Sequence, residues 1–349
     1  MIRDKVQAIS LDPKAFQQPN RAKLDSQTLE EWVRSEGGGH RAVQTVNLWT
    51  CAMLGQAARD MSALAFLEVP RTAGGIATSR SDEKGGAQYL RLKEGTSAIP
   101  KGMEKLLLPG TIRLNTQVTG ILRTSNSLYS LVLAGGNHIT AKKVIVSIPT
   151  STYKLINFDP PLPPQRHAFN IHSRYGCYIK YLVLFRAPFW REAGSCGLAQ
   201  SFRGPVSLIR DTSIDDQDNY ALTCFIGSEL GRKWHAMSAE DRQEGVLKQL
   251  ARLYQVPEKV VRDNFIDTMT SPWMEDPWAG WGCPFSVTPP GILSDTEDGQ
   301  LAIEPFGGIF FVGTELTNHW RGYMEGAIVS GSRGAQQALA ALESGDARL

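Results

Sequence analysis

Apolar positions change their period twice along the chain. Leu29, Trp32 and Val33 recur at the spacing of one helix face, behind Asp25 or Ser26 as a cap and ahead of Gly37-Gly38-Gly39 as a stop. Val43, Val46, Trp49, Cys51 and Met53 mark a second helix, and Ser62 to Leu67 a third that Pro70 should end. Past Leu114 the pattern becomes β-type: Leu114 to Arg123, Ser127 to Ala134 and Ile139 to Ser147 are strand-like runs, separated by turn residues such as Asn126 and Gly135-Gly136-Asn137. Val144 to Ile148 is nearly all apolar, which predicts a strand covered on both faces, so this block reads as a β-meander returning into a buried sheet. Ile179 to Phe185 is a further strand. Ser238, three residues ahead of Asp241, should cap an amphipathic helix carrying Val246, Leu247, Leu250 and Leu253. Trp273 to Gly291, rich in Trp, Pro and Gly, predicts an ordered irregular loop. A strand at Ile309 to Val312, a turn at Gly313 and a helix from about Tyr323 to Leu342 close the chain.

Composition narrows the partners. The 349 residues are 42% hydrophobic and 21% charged, with net charge +2 and no long basic block, which argues against nucleic acid. No stretch reaches the ~18 apolar residues of a membrane span, and Met1-Ile2-Arg3-Asp4-Lys5 does not begin a secretory signal. Five scattered cysteines (Cys51, Cys177, Cys196, Cys224, Cys283) form no C-x-x-C pair, and six histidines show no ligand spacing. That composition points to a reducing compartment and away from disulfide frameworks and zinc. The last residues, Ala347-Arg348-Leu349, fit the small–basic–leucine form of a peroxisomal address, which an import receptor reads. Peroxisomal location is therefore expected, and cytoplasmic location without that signal.

The candidate chemistry lies in the terminal strand–loop–helix. Gly313-Thr314-Glu315 sits at the carboxyl end of an apolar strand, where open α/β sheets bind ligands. Shortly after it, Gly322-Tyr323-Met324-Glu325-Gly326-Ala327 begins a helix whose first free N–H groups favour negative charge. Gly326, Gly331 and Gly334 should let that helix pack closely.

The string Phe310-Phe311-Val312-Gly313-Thr314-Glu315, followed by His319 to Ala327, closely resembles the C-terminal FAD motif of flavin-containing amine oxidases of the monoamine oxidase type, soluble peroxisomal members included. Cys283 followed by Pro289-Pro290-Gly291-Ile292-Leu293 resembles the family loop that passes the flavin. Tyr178 to Tyr181 with Ala187-Pro188-Phe189-Trp190-Arg191 resembles the segment carrying the active-site lysine. Val144 to Pro149 with Phe158 to Pro163, and Gly95 to Met103, are also family-like, so the resemblance covers nearly the whole chain.

What the resemblance implies is specific. Gly313, Thr314, Glu315 and the Met324 backbone contact FAD, and Val118 lies beside the adenine. Lys180 holds a water at flavin N5; its apolar neighbours Ile179, Leu182 and Val183 predict burial, which lowers an ammonium pKa. Tyr323 is one wall of an aromatic cage around the substrate amine. The second wall falls at Pro284, a departure from the family, with Trp281 or Phe285 as replacements. Cys283 aligns with the cysteine that some members join to the flavin, but Gly282-Cys283-Pro284 differs from the covalent pattern, so non-covalent FAD is expected.

The implied fold is mixed α/β, the two-domain FAD-linked oxidoreductase fold. Residues 1–77 and 169–276 belong to a substrate domain, and 78–168 and 277–349 to an FAD-binding domain. No G-x-G-x-x-G occurs, so the first Rossmann βαβ unit, roughly a hundred residues of the family pattern, is expected to be missing, leaving a sheet edge and apolar surface open. The implied reaction is oxidation of an amine to an imine with hydride transfer to flavin, reoxidation by O2 to hydrogen peroxide, and hydrolysis to a carbonyl compound and ammonia. Two alternatives stand beside it. An L-amino-acid oxidase needs a pocket arginine, and the sequence assigns none; the other is a truncated non-catalytic remnant that binds FAD weakly. The resemblance leaves a homo-oligomer open.

Overall fold

Backbone hydrogen-bonded pairing sorts the strands into three sheets. The structure is a computed structural model that describes residues 2–9, 19–125, 127–284, 286–293 and 303–344. Ala347-Arg348-Leu349 and Phe285 lie outside the described residues. The amino-terminal third is helical: Leu29–Ser35, His40–Leu54 and Ala63–Thr72 bury Trp32, Val33, Val46 and Leu64 against one another. Their signals differ in detail from expectation. Thr28, not Asp25 or Ser26, caps the first of them in a reciprocal capping box with Glu31. Asp25 is buried instead, accepting from the Ser62 hydroxyl at 2.6 Å and the Leu293 N–H at 2.9 Å. The third helix runs through Pro70 and ends at Thr72, since a proline this close to a C-terminus disturbs only the last turn.

Strands β1 (Val118–Arg123), β2 (Tyr129–Leu133) and β3 (His138–Ala141) form the antiparallel meander. The last expected run is broken at Lys142-Lys143 into β3 and β4 (Val144–Val146), because β4 leaves the meander to pair elsewhere. The short β5 (Asn157–Asp159) runs parallel to β1. A second, antiparallel sheet holds β6 (Tyr178–Phe185), β7 (Ala199–Gln200), β8 (Leu208–Asp211), β9 (Tyr220–Gly227) and β10 (Phe265–Ser271), in the order β10-β6-β9-β8-β7. One face of it buries Ile179, Val183, Leu222 and Cys224 against Val246, Leu247 and Leu250 of the helix Ala239–Tyr254, which Ser238 caps as expected.

Strand β11 (Ile309–Phe311) pairs in parallel with β4, Phe310 opposite Ile145. Among the described residues β4 pairs on that side alone, and Ile145 is 44% exposed while Val144 and Val146 are buried. The expectation of a strand covered on both faces is therefore not met. The helix Met324–Glu343 follows β11 and lies across it. No helix among the described residues is long and apolar enough to cross a membrane.

Candidate functional site

The parallel pair β4 and β11 sends two loops, Ser147-Ile148 and Val312-Gly313, out of the same sheet end, and cavities open there. One, of about 340 Å³, is lined by Gly313, Thr314, Glu315, Cys283, Tyr175 and Ala327. A second, of about 390 Å³ and mostly apolar, is lined by Gln117, Val118, Ile121 and Val144 to Val146. Both are lined in part by Ser147 and Ile148, so the two cavities are neighbours. Residues 283 and 313–315 thus line one cavity, and residue 118 lines the neighbouring one.

Gly313 holds φ at +144°, a conformation that side chains rarely adopt. Its N–H donates to the Ser330 hydroxyl at 3.0 Å, which fastens the loop to the helix Met324–Glu343. Glu315 is buried. Its carboxylate accepts from the Tyr175 hydroxyl at 2.5 Å and from the Thr314 hydroxyl at 3.2 Å. Burial, reinforced by Glu315, pushes the Tyr175 phenol well above its ordinary pKa, so it remains a donor. Sequence reading missed both Tyr175 and Ser330, because neither lies in a recognisable motif.

Tyr323 is the N-cap of the helix, and its side chain makes no cap, leaving the first N–H groups without a capping side chain. Two of the three helix glycines behave as expected: a Cβ on Gly334 would overlap Val312, and one on Gly326 the Trp320 carbonyl. Gly331 faces open space, so its expected packing role is not met. The helix mouth is pinned from behind. Thr72 accepts from the Trp320 and Arg321 N–H groups, through its carbonyl and its hydroxyl, and buried Glu68 bridges Arg21 and Arg321.

The Tyr323 ring meets Trp320 edge-on at 5.2 Å, whereas Trp281 lies under the Lys154 ammonium at 4.3 Å. Trp320 is the ring packed beside Tyr323. Lys180 stands on β6 opposite Phe225, its Nζ 5.9 Å from that ring, and Tyr178 packs on the same ring at 5.7 Å. Lys180 is exposed, contrary to the burial its neighbours suggested. Strand alternation explains the difference: Ile179 and Val183 point into the core on the other face. The Cys283 thiol lies 3.7 Å from the Tyr178 carbonyl, and burial pushes it up to about 12, with Lys180 opposing.

A family model described as flavin containing amine oxidoreductase matches residues 2–339. The chain belongs to that family. It is 30% identical over 321 residues to a probable flavin-containing monoamine oxidase A of Dictyostelium discoideum, covering 92% of this chain and 68% of that protein. It is 31% identical over 336 residues to the flavin-containing amine oxidase B of Bos taurus, covering 93% and 61%. The chain therefore spans about two thirds of the length of these relatives. Among solved structures, cyclohexylamine oxidase from Brevibacterium oxydans matches with a TM-score of 0.87 and 23% identity, over 98% of this chain and 73% of that one. Putrescine oxidase bound to putrescine matches with a TM-score of 0.83 and 24% identity, over 97% and 73%. Both show a shared fold, the amine oxidase two-domain α/β fold.

Family membership implies a flavin, and the residues present fit one end of it. Gly313 adds no side chain to the cavity it lines with Cys283, and the helix that contributes Ala327 to that cavity starts without a capping side chain.

Proposed function

We propose that the chain carries the flavin-ring and substrate parts of an FAD-dependent oxidase that converts an amine to an imine, with release of a carbonyl compound, ammonia and hydrogen peroxide. The observation that carries this is the meeting of Gly313, Thr314, Glu315 and Cys283 around one cavity at the carboxyl ends of β4 and β11. Bound FAD would supply the acceptor for the hydride of the substrate C–H bond, passing both electrons on to O2.

This chain's residues do the rest. The first N–H groups after Tyr323 provide partial positive charge for an anionic ring edge. Tyr175 and Thr314 hold Glu315, which keeps the Gly313 turn in shape. Val118 lines the neighbouring cavity, where the adenine would lie. Tyr323 offers its ring face to the amine nitrogen. The Lys180 ammonium holds and orients a water beside the reacting atoms. The departure of Gly282-Cys283-Pro284 from the covalent members' pattern, with burial that pushes the Cys283 thiol up, supports FAD held without a covalent bond. Location in peroxisomes, through Ala347-Arg348-Leu349, would place peroxide formation where it is consumed; a fluorescent fusion with and without that tripeptide tests this.

The function is tested on FAD-loaded protein by stopped-flow spectroscopy with a simple alkylamine. Lys180→Met should slow flavin reduction or reoxidation by about tenfold or more. Unchanged rates for both half-reactions would remove Lys180 from the mechanism, and loaded protein that no amine bleaches would remove the oxidase reading.

A further inference from the structure

The five-stranded sheet ends at the two-residue edge strand β7, and residues 201–207 carry the chain from there into β8. One buried side chain of the helix Ala239–Tyr254 fastens this loop. The Gln249 amide donates to the Arg203 carbonyl at 2.9 Å and to the Val206 carbonyl at 2.8 Å, and its oxygen accepts from the Val206 N–H at 3.0 Å. Within the loop, the Ser201 hydroxyl donates to the Arg203 carbonyl at 2.6 Å and accepts from the Arg203 N–H at 3.1 Å. Gly204 takes φ +83°, and a Cβ there would lie 2.5 Å from the Gln249 oxygen, so the turn requires glycine. The backbone that presents Phe202 and Arg203 is therefore fixed before any ligand arrives.

Helix periodicity brings in a second guanidinium. Arg252 and Leu253 stand three and four positions beyond Gln249, on the same helix face and one turn further on. Loop and helix together enclose a cavity of about 350 Å³, lined by Gln200, Phe202, Arg203, Gln249, Arg252 and Leu253, with Ser201 completing it. Two guanidiniums line it and no carboxylate does. Neither guanidinium has an ion-pair or hydrogen-bond partner among the described residues. Arg191 and Arg262, elsewhere on this sheet-and-helix unit, are each bridged to two carboxylates. The Phe202 ring is 64% exposed on the same wall.

Unpaired guanidiniums on an acid-free wall favour an anion. A single fork is enough for a carboxylate, whereas a phosphate monoester offers three acceptor oxygens and close to two charges for two forks. Inorganic phosphate would leave the Phe202 ring against water, and a flat apolar group attached to the phosphate covers it. We propose that this cavity binds a small aromatic phosphate monoester, its phosphoryl group between Arg203 and Arg252 and its ring on Phe202. The cavity shares no lining residue with the two beside β4 and β11, so the inference does not rest on the oxidase reading.

The test uses phenyl phosphate, inorganic phosphate and benzyl alcohol as probes, titrated by calorimetry into the whole chain at about 150 mM salt, where diffuse surface attraction is screened. Phenyl phosphate should bind about tenfold tighter than either of the others, with the same affinity in the presence of FAD. Arg203→Gln and Arg252→Gln should each weaken it by about tenfold, and Arg252→Lys should recover part of the loss, because charge is kept and the planar fork is not. Phe202→Ala should bring phenyl phosphate down to the level of inorganic phosphate and leave the latter within about twofold. Lys259→Gln, the same change of charge outside the cavity, should leave every affinity within about twofold. All four positions are exposed, so urea midpoints near that of the unaltered protein are expected. Phenyl phosphate that binds no tighter than benzyl alcohol or inorganic phosphate overturns the site. So does binding that survives both arginine variants, falls equally in Lys259→Gln, or is displaced by FAD, which would assign it to the flavin cavity.

Discussion

The thiols of Cys177 and Cys283 are pushed up by burial to about 11 and about 12. In the unfolded chain a cysteine titrates near ~8.5. Between those values the folded protein keeps protons that the unfolded chain releases, so stability is intact below ~8.5 and falls as pH rises toward 11–12. At pH 10 the loss should be on the order of 1–2 kcal/mol for each thiol, smaller for the partly exposed Cys283 than for the buried Cys177. Urea midpoints measured between pH 8 and pH 10.5 check this, and Cys177→Ala/Cys283→Ala should flatten the slope; an equal slope contradicts it. A second residue-scale outcome concerns Glu68, which lies buried between Arg21 and Arg321. Glu68→Ala should cost about 3–5 kcal/mol, since it strands buried positive charge. A urea midpoint close to that of the unaltered protein would show that the bridge is structurally idle. Residue positions were legible only where a motif carried them. Gly313, Thr314, Glu315 and Cys283, singled out by motif, line one cavity, while Tyr175, Ser330 and Glu68 act through contacts far apart in sequence. Lys180 shows the opposite error: Ile179 and Val183, at odd spacing from it on the strand, describe the other face, not its own.

Among the elements, the helix Met324–Glu343 gives the sharpest contrast. Gly334 packs where a Cβ would overlap Val312, so Gly334→Ala should destabilise by about 1–3 kcal/mol. Gly331 faces open space inside the same helix, so Gly331→Ala should stabilise by about 0.5–1 kcal/mol. Thermal midpoints that move the same way for both would contradict the packing described here. Helices with strong periodicity and caps, such as Ala239–Tyr254 behind Ser238, were readable from sequence because local interactions decide them. The break between β3 and β4 was not, since pairing with β11, more than 160 residues away, decides it. Thr28 outcompeted Asp25 as a cap because Asp25 is consumed by tertiary bonds to Ser62 and Leu293.

At the scale of the molecule, the two sheet systems bring their chemistry to one region. The β4–β11 end supplies two neighbouring cavities and the helix start, and the face of β6 and β9 supplies Lys180 and Phe225, beside the Cys283 thiol that approaches the Tyr178 carbonyl. Mixed α/β architecture and the motif order were legible in the chain. The central claim is that the recess between Gly313 and Cys283 receives the flavin ring. Titration of FAD into the chain, followed by quenching and band shift of the flavin, tests it most directly. Saturable binding that Gly313→Val abolishes and that Gly331→Ala leaves intact is the predicted result. Flavin binding of equal strength in the Gly313 variant, or none in the unaltered chain, would contradict it.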